Sequence, residues 1–356
     1  MVLIVFFLGV ALASVLHIVQ WAEESYRSNQ TQKELQQLYH QGSLLGKQEE
    51  PVPGQSGSQL NQEPGIGESS SGESSSGGAD SEASENPSAD EQTVQLPEMQ
   101  MLPEYRVLYE KNKDIVGWLN IGGGMLSTPI MQRSGDYYLN HDFYGNEDKH
   151  GQVFLDERNH NDLSDDNTIL YGHNITRDNS MFNILTKYKD PEFVANYPTI
   201  QVNTLYRKYQ YAVTAVYLTS TRPEDGELFD YINYLRFSTR TAKEAYLAQI
   251  DRRSLIDTGG SMNADDRILT FSTCSYEFTG ARLVVVARRL RDGENREDFG
   301  QKVTKRENPL MPEILAVLST ATPILWKWQR NSFPSAFPLG SAAYLPLKMP
   351  ESSLMW

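Results

Sequence analysis

Hydrophobic positions fall in three different rhythms along this chain. Val2 to Val19 is almost continuously apolar, broken only by Gly9, Ser14 and His17, and Trp21 follows where an interfacial aromatic would sit. A run of about 20 apolar residues spans a bilayer as a helix, so residues 1–22 are predicted to be a membrane anchor. A signal peptide cleaved near Ala11-Leu12-Ala13 is the rival reading. The apolar run continues past that point, however, and neither reading shows the basic residues expected ahead of it. Residues 23–47 read as a short helical stem. From 48 to 100 periodicity disappears into Ser, Gly and Glu repeats such as Ser69-Ser70-Ser71-Gly72-Glu73, which predicts a disordered linker. As a flexible coil, about 50 residues would reach roughly 40 Å, suiting a head that works away from the membrane.

The third rhythm begins near Met101. Tyr105, Leu108, Tyr109 and Asn112 share one helical face. Short apolar runs then recur between turn signals: Thr128 to Met131, Gln152 to Leu155, Thr168 to Tyr171, Thr199 to Val202, Tyr209 to Thr219, Ile268 to Ser272 and Leu283 to Leu290. Many short strands at this density predict a mainly β domain over 101–296, either a sandwich or a closed barrel. Helical insertions are expected at Met181 to Tyr188 and Thr241 to Ile256. Residues 297–356 form a tail of uncertain structure, rich in Pro towards its end. Ile314 to Trp326 is apolar but too short for a second span.

Charge changes this picture little. The 356 residues carry a net charge of −14, and Gln48 to Glu98 supplies 11 acidic residues with no Lys or Arg, leaving −3 for the rest. The acidity therefore describes a solvated linker, and no basic stripe suggests nucleic acid. One cysteine rules out an intramolecular disulfide framework.

That cysteine, Cys274, ends the run Ile268-Leu269-Thr270-Phe271-Ser272-Thr273-Cys274, and Arg282 opens the next. A thiol with a cation close behind favours the nucleophilic thiolate, although a buried cysteine acting as a small hydrophobe is the commoner case. His173 follows the strand-like Thr168-Ile169-Leu170-Tyr171 and could exchange protons with it. Together the three residues suggest acyl transfer through a thioester. His141, His150 and His160 lie in polar loop stretches with no metal-ligand spacing. Asp142, Glu147 and Asp148 hint only weakly at a calcium loop. No metal and no cofactor is expected.

The Thr270-Phe271-Ser272-Thr273-Cys274 block resembles the Thr-Leu-x-Thr-Cys signature of sortases, with Phe271 in place of the usual Leu. Further blocks resemble class B sortases: Asn112 to Leu119, Asp136 to Phe143, Tyr171-Gly172-His173-Asn174 with Ser180-Met181-Phe182, Cys274 to Phe278, and Arg282 to Val286. They run in order from about Tyr105 to Leu290. The resemblance implies a sortase-like closed β-barrel of about eight strands. It implies Cys274 as nucleophile, His173 as general acid and base, and Arg282 as stabiliser of the oxyanion, with Asn174, Ser272 and Thr273 as substrate contacts. Tyr171 is expected in the core, and Arg288, Arg289 and Arg291 in solvent.

The implied enzyme is a single-pass membrane protein with its catalytic domain on the extracellular face. It would cleave a C-terminal sorting signal on surface proteins and transfer them to a peptidoglycan amine. A cysteine peptidase using water, a pilin-polymerising sortase and a degenerate, non-enzymatic sortase are the alternatives.

Overall fold

The computed structural model describes residues 2–49, 100–225 and 228–314. Most of the expected linker, and the tail beyond 314, lie outside the described residues. In chain order the elements are helix α1 (Val2–Glu49), helix α2 (Pro103–Lys111), and strands β1 (Ile115–Ile121), β2 (Leu126–Met131), β3 (Val153–Leu155) and β4 (Asn167–Tyr171). A small hairpin, β5 (Asn174–Ile175) and β6 (Ser180–Met181), leads into 3₁₀ turns over Phe182–Lys189 and helix α3 (Pro191–Asn196). Then come β7 (Thr199–Thr204), β8 (Lys208–Ser220), helix α4 (Arg240–Arg253), β9 (Ile256–Asp257), β10 (Ile268–Cys274), β11 (Ala281–Arg289) and β12 (Thr304–Lys305).

Eight strands close a barrel in the order β1-β2-β3-β4-β10-β11-β8-β7, with β7 returning to β1. Most neighbours are antiparallel. The exceptions are β2 with β3 and β4 with β10, which run parallel and need long crossovers. Leu119, Val153, Leu170, Val202, Phe271 and Val285 belong to the main apolar core.

The outer faces explain why several strands read as continuous apolar runs instead of alternating ones. Tyr246, Leu247 and Ile250 of α4 cover Tyr217, Val284, Val286 and Ile268, so Leu283 to Ala287 is buried at every position. Thr239 caps this helix by accepting a hydrogen bond from the Ala242 N–H. On the opposite side, α1 and α2 bury Trp118, Met131 and Ile169.

The role of α1 differs from the expected stem. It is one unbroken helix, and its second half lies on the barrel. Tyr39 stacks on Trp118 at 4.1 Å, and its hydroxyl accepts a hydrogen bond from Asn203 at 2.9 Å. Gln36 donates to the Ser127 carbonyl, and Leu35 is fully buried. The docked positions Ser25, Ser28, Gln32, Leu35, Tyr39, Gly42 and Gly46 recur every three to four residues, which puts them on one helical face. Gly46 meets Pro103 so closely that an added Cβ would lie 2.4 Å from the proline ring. The chain therefore re-enters beside the point where it leaves, and residues 50–99 do not set the distance between α1 and the barrel.

Packing also continues past residue 296. β12 pairs with β9, Arg306 binds Asp251, and the Leu310 N–H donates to the Arg252 carbonyl. Arg288, expected in solvent, is only 3% exposed because it turns inward to pair with Glu294 at 2.6 Å. Arg289 lies over the Tyr209 ring at 3.8 Å, and Arg291 pairs with Asp266. Arg289 and Arg291 find an aromatic face and a carboxylate in segments distant in sequence, which local sequence does not reveal.

Removing the Tyr39 ring should expose one face of Trp118 and orphan the Asn203 amide. Tyr39→Ala is expected to destabilise the full chain in detergent by about 3 kcal/mol in chemical denaturation. Glu34→Ala, which loses only an exposed contact to Tyr144, should cost less than about 1 kcal/mol.

Candidate active site

The barrel's hydrogen-bond register decides where Cys274 sits. β4 and β10 are parallel, with Tyr171 opposite Ser272. His173 and Cys274 each lie two residues beyond that pair, so both leave the barrel at the same end, and period-two alternation turns them to the same side. On the other flank, β10 and β11 are antiparallel and Cys274 pairs directly with Arg282. Cys274 thus stands between a histidine beyond the end of β4 and an arginine at the start of β11. All three are half-buried and line one narrow pocket of about 20 Å³ with Leu139, Tyr171, Gly172, Ser272 and Thr273.

Each side chain is braced from behind. His173 Nε2 lies 2.9 Å from the Leu139 carbonyl. A carbonyl only accepts, so Nε2 carries the proton and Nδ1 is left as the basic nitrogen. Burial lowers the His173 pKa below its ordinary value, and the nearby charges of His150 and Arg282 push the same way. The imidazole is therefore neutral at neutral pH. Gly172 gives it room, because a Cβ there would meet the Phe182 ring at 3.0 Å.

The loop from Cys274 to Arg282 is closed by the Ser275 N–H donating to the Ala281 carbonyl at 2.9 Å. Ser275 and Glu277 are also hydrogen-bonded, and Glu277 pairs with Lys189.

The three expected substrate contacts are all buried and bonded to protein. Asn174 donates to the Cys274 carbonyl at 3.0 Å and is held by Asn183 at 2.8 Å. Thr273 donates to the Gly172 carbonyl at 2.7 Å, and Ser272 shares a 2.7 Å bond with Tyr231. Ser272 and Thr273 line the pocket; Asn174 braces it from outside. Asn183, Tyr231 and the Leu139 carbonyl carry no motif that sequence reading could have used. Tyr171 is buried as expected, its hydroxyl 2.9 Å from Asp156.

Tyr171 also borders a larger cavity of about 470 Å³, lined by Phe154, Asp156, Arg158 and the segment 228–233. Arg158 ties its two sides together by pairing with Asp156 and donating to the Ile232 carbonyl.

Among the loop histidines, His150 departs most from expectation. It is 3% exposed and lies between Asp148 at 3.1 Å and Asp178 at 3.0 Å. The bond to Asp148 chiefly raises its pKa, against the opposing effect of burial. Burial alone would raise both carboxylates, but hydrogen bonds from His150, Ser25, Ser28 and Ser180 bring them below the usual range. His141 stacks on Tyr137 at 3.9 Å, and His160 bonds Asp165. Among the described residues, no three His, Cys, Asp or Glu side chains are grouped to hold a metal ion.

The sortase-domain family profile matches residues 122–290. Sortase B of Listeria monocytogenes serovar 1/2a is 37% identical over 185 residues, covering 51% of this chain and 72% of that protein. Sortase B of Staphylococcus aureus is 36% identical over 191 residues, covering 52% and 74%. The solved Staphylococcus aureus sortase B–substrate complex is 34% identical, covers 54% of this chain and 87% of that one, and has a TM-score of 0.49. The chain belongs to the sortase family, whose members are cysteine transpeptidases. Within that family it is a class B sortase.

The two imidazoles should titrate apart. In isotope-edited NMR of the full chain, His173 is expected to titrate below 6.5 and His150 above it. Arg282→Ala should raise the His173 value by removing a nearby positive charge. His150 binds its proton more tightly folded than unfolded. Its stabilisation is therefore complete below about 6.5 and is lost as pH rises through the raised value. His150→Ala, which strands two partly buried carboxylates, should cost about 2–3 kcal/mol at pH 6 and less at pH 9.

Proposed function

We propose that this chain is a membrane-anchored transpeptidase that works through a Cys274 thioester. The observation that carries this reading is the register that sets Cys274 between His173 and Arg282 at one end of the barrel. Cys274 Sγ attacks the carbonyl carbon of a peptide bond in a C-terminal sorting signal. His173, neutral before the reaction, accepts the thiol proton and delivers it to the departing amine as the C–N bond breaks. The incoming amine, supplied by a peptidoglycan stem or cross-bridge, then attacks the thioester. It gives its proton to His173, and the expelled thiolate recovers that proton.

Arg282 keeps its proton and donates hydrogen bonds to the carbonyl oxygen as it becomes an oxyanion, so its contribution grows towards the transition state. Asn174 and Thr273 act as positioning residues, because their bonds fix the Cys274 carbonyl and the Gly172 carbonyl. The cavity beside Tyr171 offers space for the rest of an extended peptide.

The anchor is α1. It is long and apolar enough to cross a membrane, and Leu3 to Val19 leave most of their large apolar side chains exposed. The same length and composition also suit a signal sequence. The unbroken helix from Val2 to Glu49 favours the anchor, since its second half is part of the barrel's packing. The barrel would then lie on the extracellular face, where sorting-signal proteins and the acceptor amine meet.

The test is to incubate the full chain in detergent with sorting-signal peptides and a glycine or diaminopimelate amine, following products by mass spectrometry. A ligated product that disappears in Cys274→Ala is the expected result. Cleavage without ligation would replace the transpeptidase reading with a peptidase. Arg282→Ala should lower kcat by about 10²–10³-fold with a smaller change in KM. Arg282→Lys should restore only part of the loss, because an ammonium lacks the guanidinium fork.

A further inference from the structure

The first contacts between α1 and the barrel fall at the end of its apolar run. The Arg177 guanidinium lies over the Trp21 ring at 5.3 Å, Lys149 pairs with Glu24 at 2.8 Å, and Ser25 donates to Asp178 at 2.5 Å. All three helix positions lie within six residues of Val19, about 9 Å of helix rise. No break separates them from the apolar segment, because α1 is continuous. The attachment is also stiff. Asp178 is shared between Ser25 of α1 and His150, whose other nitrogen is held by Asp148. This network joins the helix, the β5–β6 hairpin and the 148–150 loop.

The barrel therefore cannot pivot freely about the end of the apolar segment. Its orientation follows the helix, and Trp21 to Gly46 spans about 38 Å of it. At the far end, Gly46 meets Pro103, and the neighbouring Leu102 N–H donates to Leu205 in the β7–β8 turn. At the near end lies the β5–β6 turn, whose Thr176, Arg177 and Asn179 are exposed. Arg177 has no carboxylate partner among the described residues, whereas Lys149 is held by Glu24. This hairpin starts at Asn174, directly after His173.

We infer that the β5–β6 turn, with Arg177 at its tip, is a membrane-contact surface resting on anionic phospholipid headgroups. The pocket of Cys274 and His173 is then held at the bilayer surface. The inference rests on α1 being a membrane anchor. The chemistry fits: an aromatic at the end of an apolar helix sits at headgroup depth, and the exposed Arg177 guanidinium beside it is drawn to an anionic surface.

The test uses the full chain carrying Cys274→Ser, with one new cysteine at Thr176 or at Tyr206 bearing an environment-sensitive fluorophore. Asn179→Cys gives a second reporter on the same turn should the first variant fold poorly. Each protein is reconstituted into phosphatidylglycerol–phosphatidylcholine vesicles, checked by flotation, and exposed to headgroup-attached nitroxide quenchers. The expected result is severalfold stronger quenching at residue 176 than at residue 206, which lies beside the distal end of the docked helix. Equal quenching in protein that floats with the vesicles would overturn the docked pose and leave the anchor intact. Protein that does not float would overturn the anchor and this inference with it.

Discussion

The parallel pairing of β4 with β10 is the constraint on which the rest of the site depends. Parallel neighbours need a long crossover, and here the crossover from β4 to β10 contains the β5–β6 hairpin, β7, β8 and α4. Its result is that His173 and Cys274, 101 positions apart, leave adjacent strands at the same height. A slip of one residue in this ladder would turn one of them to the opposite face. The register is secured on both sides: Leu170 and Phe271 lock it in the core, and the Thr273 hydroxyl bonded to Gly172 ties the strand ends together. The antiparallel β10–β11 ladder then delivers Arg282 opposite Cys274 without further adjustment.

Around this ladder the polar groups divide into two kinds. Those nearest the thiol are held by directional hydrogen bonds: His173 on a backbone carbonyl, Asn174 between the Cys274 carbonyl and Asn183, Ser272 on Tyr231. Such bonds fix geometry without themselves adding charge beside the thiol. Behind them, Asp148, His150 and Asp178 form a charged cluster shielded from solvent. Within it the charge of His150 lowers the His173 pKa and that of Asp148 raises it, so the network that holds α1 also bears on the imidazole at the pocket.

Much of this was legible in the chain. The runs from Thr168 and Ile268 read as strands because β-branched and aromatic residues are concentrated there, and Cys274 stood out as the only thiol at a strand end. The helix of 240–253 was visible from its period and fell within three residues of the expected end.

What escaped was long-range. Arg289 looked solvent-facing, yet it lies over the Tyr209 ring of β8, and His150 looked like a loop residue, yet Asp178 closes on it. The docked face of α1 was hidden for a different reason. Its positions recur with helical spacing, but Ser25, Ser28 and Gln32 are polar, so a search for apolar stripes passes over them. Asn174, Ser272 and Thr273 were placed near the chemistry by their neighbours in sequence. Their hydrogen bonds, which turn them inward, depend on partners that only the closed barrel brings close.

The close approach of Gly46 to Pro103 bears on what joins the two pieces of this protein. Helix and barrel are linked twice, once by the peptide chain through residues 50–99 and once by the buried face that includes Leu35, Tyr39 and Trp118. A proteolytic cut anywhere between 50 and 99 would sever the first link and leave the second untouched. The enzyme would then persist as two fragments in one non-covalent complex, with the barrel still seated on its helix. Separating the barrel from α1 would require unpacking a tyrosine from a tryptophan, which scission of the backbone does not do.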